Sequence, residues 1–112
     1  MDVSVLPGEV VWARPDVSVG REQAGRRPAV VVSNDSFHDA ITTLVLVVPV
    51  TSVERGWDNH VLLTGEHELD AHSFAMTEQV RVISRERIVA RAGSVDDTTL
   101  GAIRGWLTAY LA

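Results

Sequence analysis

The sequence predicts an α+β domain: a small, strongly curved antiparallel sheet or barrel closed by one C-terminal helix. Three observations carry this. Short apolar, β-branched runs recur between turn-forming clusters, as at Val10-Val11-Trp12, Ala29-Val30-Val31-Val32 and Leu44-Val45-Leu46-Val47-Val48. The gaps between these runs are mostly too short for parallel crossovers, which need a dozen or more residues. Near the end, Leu100, Ile103, Leu107 and Tyr110 or Leu111 recur at helical spacing. Strands followed by a segregated helix define the α+β class.

In chain order, a strand starts after Pro7-Gly8 and covers Gly8 to Arg14. Arg14 to Gly25 is a loop, long for a compact domain, and such loops are usually functional. Pro28 to Ser33 is the second strand, and Ser36 to Ala40 makes a helical turn after the Ser33-Asn34-Asp35 cluster. Ile41 to Val48 is apolar on both faces and reads as a central strand, with Pro49 ending it or placing it at an edge. Thr51 to Asn59 is a polar loop, His60 to Leu63 a short strand, and Thr64 to Asp70 an acidic turn region. Thr77 to Ile83 reads as a mixed strand, Ser84 to Ile88 as a helical turn, and Val89 to Ala92 as a strand. Ser94 with Asp97 resembles a capping box, which starts the final helix at about Val95 and runs it to Leu111.

The totals limit function. The 112 residues make one domain, residues 1–112, with 46% hydrophobic and 22% charged residues, a folded globule. A net charge of −5 gives no bulk attraction for nucleic acid, so a polyanion must be caught by a local patch. All ten basic residues are arginine, each a planar fork for phosphate. Without cysteine, disulfides, thiolate metal sites and a Cys nucleophile are excluded. No apolar run reaches membrane-spanning length and the N-terminus lacks the pattern of a signal peptide, so the expectation is a cytoplasmic protein without membrane contact.

The stretch Gly20 to Pro28 concentrates chemistry. It carries three of the ten arginines, Arg21, Arg26 and Arg27, plus Glu22 and Gln23, and feeds directly into a buried strand. Guanidinium forks at a strand mouth can hold a phosphate and offset charge in its transition state; as solvated loop residues they do nothing in particular. Thr51-Ser52, after Val48-Pro49-Val50, either presents hydroxyls to a phosphate or ends a strand. Glu78-Gln79 beside Arg81 either reads a base edge or forms an exposed face. His60 can act as a general acid near neutral pH. His67 and His72 among acidic residues have no metal-ligand spacing, so no metal or other cofactor is expected.

Gly8-Glu9-Val10-Val11-Trp12, then Glu22 through Ser33, then Val48-Pro49-Val50-Thr51-Ser52, then Glu78-Gln79-Val80-Arg81 together resemble the MazF/PemK family of toxins, from about Pro7 to Leu111. The resemblance implies an SH3-like barrel of antiparallel strands with short helical turns and a C-terminal helix, usually a homodimer. It implies a metal-independent endoribonuclease that cuts single-stranded RNA and leaves a 2′,3′-cyclic phosphate and a 5′-hydroxyl. The family's catalytic arginine falls on Arg27, its threonine on Thr51 and its Glu-Gln loop pair on Glu22 and Gln23. Where some members carry Arg-x-Asp-Gln, this chain reads Met76-Thr77-Glu78-Gln79, and Arg21 stands where some place a histidine.

With Arg27 suited to the phosphorane charge, Glu22 is the candidate base, since a guanidinium gives up its proton only at very high cost. Arg14, Arg21, Gln23, Arg26, Ser52, Glu78, Gln79 and Arg81 are the candidate RNA-binding residues. Trp12, Phe37 and Trp57 can stack on bases, Trp12 being also suited to the core. The resemblance leaves messenger, transfer and ribosomal RNA open as the target, and it implies a cognate antitoxin whose acidic tail covers the arginines. Two alternatives stand beside this: a gyrase-poisoning toxin of the CcdB kind, and a non-catalytic SH3-like binding module.

Overall fold

The computed structural model describes residues 4–14 and 25–112. The expectations for Arg21, Glu22 and Gln23 therefore lie outside the described residues. The strands are β1 (Glu9–Ala13), β2 (Arg27–Val31), β3 (Leu44–Thr51), β4 (His60–Leu62), β5 (Gly65–His67), β6 (Phe74–Met76), β7 (Arg81–Ser84) and β8 (Ile88–Val95). The helices are α1 (Asp35–Ala40) and α2 (Asp97–Leu111), with 3-10 turns at Thr77–Gln79 and Arg85–Arg87. Every pairing is antiparallel, in the order β4-β6-β3-β2-β1-β8-β5 with β7 also on β3. Among the described residues no ladder joins β4 to β5, so the sheet is not closed into a barrel, while the α+β class holds.

β3 is the hub. Val45, Val47, Val48 and Val50 are all buried, so the strand is apolar on both faces. Pro49 does not end it or put it at the edge, as the sequence suggested. On one side β3 pairs with β2, and on the other it changes partner, from β7 at Leu44–Val47 to β6 at Val50–Thr51. The Leu46 carbonyl accepts from Val32 on the β2 side. Alternation then points the Pro49 nitrogen the other way, into the gap between β7 and β6, where no ladder needs an N–H.

The sheet has apolar side chains on both faces. Val10, Val30, Val48 and Val50 join Leu63, Ala75, Ala92 and Val95 in a core covered by Leu100 and Ile103 of α2, with Leu107 against it. The alternate residues Val11, Ala13, Ala29, Val31, Val45 and Val47 form a second core with Val5 and Ile83. Period-two alternation therefore divides each central strand between two cores.

Local chemistry corrects two expectations. Ser94 is not the cap of α2, because Ser94 and Val95 still belong to β8, paired to Glu66 and Gly65. Asp96 caps instead, accepting from the Thr99 N–H at 2.9 Å and from the Thr64 hydroxyl at 2.7 Å. These hydrogen bonds hold its carboxyl below the usual range. The acidic turn region contains a strand, β5, too short and too polar to read from its sequence. It packs so closely on β8 that a Cβ at Gly93, where φ is +96°, would collide with the Glu66 carbonyl and lie 2.7 Å from the His67 Cα.

α1 is fixed from below. Buried Arg85 donates to the carbonyls of His38 at 2.8 Å and Ile41 at 3.0 Å, serving orphan acceptors of the helix end, and to the carbonyl of Leu44 in β3 at 3.0 Å. Ser33 Oγ accepts from the Leu46 N–H at 3.1 Å, which leaves its proton for His38 Nε2 at 2.7 Å. Burial first, then the charge of Arg85, lowers the His38 pKa from its ordinary 6.5, so the ring is neutral in the fold.

Gly93→Ala is expected to cost at least about 2 kcal/mol, the range for strain at a special backbone position, whereas Gly101→Ala on the open face of α2 should gain up to about 1 kcal/mol. Urea midpoints of the two variants check this. Because the His38 pKa is lower folded than unfolded, the unfolded chain binds the extra proton below pH 6.5. Stability from His38 is complete above that pH and is lost as pH falls toward the folded pKa. Urea midpoints measured from pH 7.5 down to about 5 should fall more for the wild type than for His38→Asn.

Candidate functional site

Strand register builds the site. On β2 and β3 the paired residues are Val31 with Val47, Val30 with Val48 and Ala29 with Pro49. Run on by two residues, the same register sets Arg27 across from Thr51. Arg27 is also held opposite Ala13 of β1, and Thr51 opposite Phe74 of β6. Both side chains thus leave one face of the sheet at a shared strand end, on backbone fixed from two sides.

Arg27 is exposed, and no described residue hydrogen-bonds or ion-pairs with its guanidinium. Thr51 is half-buried, and its Oγ1 accepts from the Val53 N–H at 3.1 Å. That bond orients the hydroxyl and leaves its proton to donate. A fork and a hydroxyl, both donors, converge where an anion can sit.

Two depressions meet at this pair. One, of about 350 Å³, is lined by Arg14, Arg27, Pro49, Thr51, Met76, Gln79, Arg81 and Arg87 among others. The second, of about 390 Å³, has Trp12, Ser52, Glu68, Leu69, Asp70 and Ser73, and shares Arg27, Pro28, Val50 and Thr51 with the first. The first half holds four arginines and no carboxylate among its described lining residues. This concentrates positive potential on one face of an acidic protein.

Arg14 and Arg87 grip each other's backbone. The Arg14 N–H donates to the Arg87 carbonyl, and Arg87 Nε donates to the Arg14 carbonyl, both at 2.8 Å. Arg14 Nη2 also donates to the Glu86 carbonyl at 2.8 Å. Both guanidinium stems are therefore held at the groove.

Of the sequence-predicted residues, Arg14, Arg27, Thr51, Gln79 and Arg81 come together in the first half and Ser52 in the second. Arg26 lines neither; it stacks over the Trp12 ring at 4.8 Å. Glu78 lies elsewhere. Its carboxylate takes His60 Nε2 at 3.0 Å and Asn59 Nδ2 at 2.9 Å, and Asn59 also reaches the Tyr110 hydroxyl of α2 at 3.0 Å. Burial works to raise the Glu78 carboxyl but is outweighed by hydrogen bonds from His60 and its own backbone and by the His60 charge, so its pKa is lowered.

His60, suggested as a general acid, is buried, lies against Trp57 with ring centroids 4.8 Å apart, and lines neither depression. Sequence reasoning missed Arg87, which sits in no motif and is held at the groove by its backbone clasp with Arg14. Glu68 and Asp70, which the sequence offered only as acidic neighbours of His67 and His72, line the second depression. Among the described residues, no group of three His, Asp or Glu is placed to hold a metal ion, and no helix is long and apolar enough to cross a membrane.

Known proteins share this fold. Residues 6–111 match the family described as PemK-like, MazF-like toxin of type II toxin–antitoxin system. The chain is 34% identical over 98 residues to the endoribonuclease toxin MazF of Escherichia coli K12, covering 87% of this chain and 85% of that protein. It is 34% identical over 110 residues to the endoribonuclease MazF9 of Mycobacterium tuberculosis, covering 93% of each. The fold superposes on MazF in a MazE–MazF crystal structure from Deinococcus radiodurans with a TM-score of 0.82 and 28% identity, covering 98% of this chain and 97% of that one. On a family match that spans nearly its whole length, this chain belongs to the PemK-like, MazF-like toxins of type II toxin–antitoxin systems.

Proposed function

We propose that this chain is a metal-independent endoribonuclease toxin that cleaves single-stranded RNA at short sequences. The carrying observation is that Arg27 and Thr51, both donors, together line both depressions. The named activity of its relatives, endoribonuclease, agrees with it. The nucleophile belongs to the substrate: the 2′-hydroxyl oxygen attacks the adjacent phosphorus, and the bond from phosphorus to the 5′-oxygen breaks. No water is activated, so the chemistry needs no metal-bound hydroxide.

Arg27 takes the non-bridging oxygens, whose charge grows in the phosphorane, and Thr51 donates its O–H to the same phosphate. Glu22 is the proposed base that receives the 2′-hydroxyl proton. The leaving 5′-oxygen takes a proton late in the reaction, with Arg27 the proposed donor. The products are a 2′,3′-cyclic phosphate and a 5′-hydroxyl. Arg14, Arg81 and Arg87, which line the groove, are the proposed contacts to flanking phosphates, and Gln79 to a base edge; Arg21, Gln23, Arg26 and Ser52 complete the proposed RNA contacts. Glu78 supports the groove through His60 and Asn59 rather than lining it.

The proposed setting is the cytoplasm, with the chain as a homodimer held in check by a cognate antitoxin. A disordered acidic segment of the antitoxin would suit the four-arginine half of the groove, since charge complementarity there competes directly with RNA. A gyrase poison of the same architecture has no use for an unpaired guanidinium beside a donating threonine, and this favours the nuclease.

Arg27→Ala should lose at least about 100-fold in cleavage rate, the scale of one transition-state donor. Thr51→Val should lose about tenfold or more, with circular dichroism unchanged. Fragments with 5′-hydroxyl ends should form from mixed RNA in EDTA; cleavage abolished by EDTA and restored by a divalent ion would contradict the mechanism. RNA affinity should fall steeply between about 50 and 200 mM salt, and a flat response would remove the arginine groove from binding.

A further inference from the structure

A closed cycle of hydrogen bonds joins the last turn of α2 to the wall of the groove. The β4–β6 ladder sets His60 opposite Met76, and one step further along it Asn59 meets Thr77, which is fully buried. Thr77 Oγ1 donates its one proton to the Asn59 carbonyl at 2.7 Å. The Tyr110 hydroxyl, 2.6 Å from Thr77 Oγ1, is therefore the donor of that pair. Asn59 Nδ2 in turn donates to the Tyr110 oxygen at 3.0 Å, which closes the cycle. Its other proton goes to Glu78 Oε1 at 2.9 Å, and His60 Nε2 holds the same carboxylate at 3.0 Å.

These bonds fix one short 3-10 turn, Thr77–Gln79, which the Val80 N–H closes on the Thr77 carbonyl at 3.3 Å. Thr77 is pinned through its hydroxyl and Glu78 through its carboxylate. Gln79, the third residue, lines the arginine-rich half of the groove with Met76 and Arg81. Its own side-chain contacts are long: Nε2 lies 3.5 Å from Glu78 Oε2 and 3.7 Å from Met76 Sδ. The turn beneath it, more than those contacts, sets where its amide sits. Tyr110 lines neither depression, so any effect it has on bound RNA passes through this turn. Without its hydroxyl, the buried Thr77 Oγ1 loses its incoming proton and Asn59 Nδ2 loses an acceptor, two bonds lost around one turn.

We propose that Tyr110 is a positioning residue for RNA recognition: through Thr77 and Asn59 it holds the turn that aims Gln79 at one base of the substrate. The assignment rests on the nuclease reading of the groove. It extends that reading to a residue on the terminal helix that touches no substrate and still sets the base preference at one position. Tyr110→Phe isolates the effect, because the ring that lies against Trp106, with centroids 6.3 Å apart, is kept and only the hydroxyl is removed.

The test uses the full chain on a randomised RNA pool, with the 5′-hydroxyl ends sequenced. Gln79→Ala is expected to lose about tenfold or more of the base preference at one position, the scale of one bidentate base contact. Tyr110→Phe should lose about threefold or more at that same position, the scale of one hydrogen bond, and keep the preferences elsewhere. Tyr110→Phe/Gln79→Ala should match Gln79→Ala alone, since the hydroxyl acts through the glutamine. If Tyr110→Phe does not fold, Asn59→Ala, which opens the cycle at another member, is read in its place. An unchanged preference, an equal flattening at every position, or a further loss in the double variant would each overturn the positioning role. No position affected by Gln79→Ala would overturn the base contact of Gln79 and the role of Tyr110 with it. Failure of the wild type to cut any RNA would instead overturn the nuclease reading beneath both.

Discussion

The register between β2 and β3 is the constraint on which the site depends. A slip of one residue would turn Arg27 or Thr51 to the opposite face, because strand side chains alternate. That register is held by burial on both sides: Val30 and Val48 belong to one core, Val31 and Val47 to the other. The four valines are buried almost completely, so a slipped pairing would have to repack both cores at once. The packing that stabilises the sheet therefore also fixes where the guanidinium and the hydroxyl meet.

The partner change along β3 is the second geometric device. β7 leaves the strand at Val47 and β6 takes over at Val50, with Pro49 in the gap. That gap helps form the floor of the groove, since Pro49, Arg81 at the start of β7 and Met76 at the end of β6 all line it. A proline costs little at a place where no ladder bond is needed, and its lack of an N–H leaves no unsatisfied donor in the floor. Charge is then divided across the pair: arginines on the β7 side, carboxylates on the β5 to β6 side.

Much of this was legible in the residues. The segments around Arg27 and Thr51 are ordered motifs, and the strands beneath them are β-branched runs. The stripe of Leu100, Ile103 and Leu107 announced the face of α2 that lies on the core. The readings that failed depended on tertiary pairing. Pro49 looked like a strand end because the change of partner beside it is invisible in one dimension. Ser94 looked like a cap because nothing local shows that β8 continues through it to meet β5. β5 has no apolar alternation; Gly65 and Gly93 instead permit a close backbone approach. His60 and Glu78, distant in sequence and each plausible as a surface group, satisfy one another. Arg87 reaches the site through a backbone clasp that has no sequence signature.

The proposed reaction rests on one phosphodiester held by two donors from neighbouring strands. A crystal structure of the protein with an RNA made uncleavable by a single 2′-deoxy substitution at the attacking nucleotide addresses it directly. The predicted result is a scissile phosphate whose oxygens lie about 3 Å from both the Arg27 guanidinium and Thr51 Oγ1. A phosphate bound at either residue alone, or RNA crossing another face of the sheet, would contradict it.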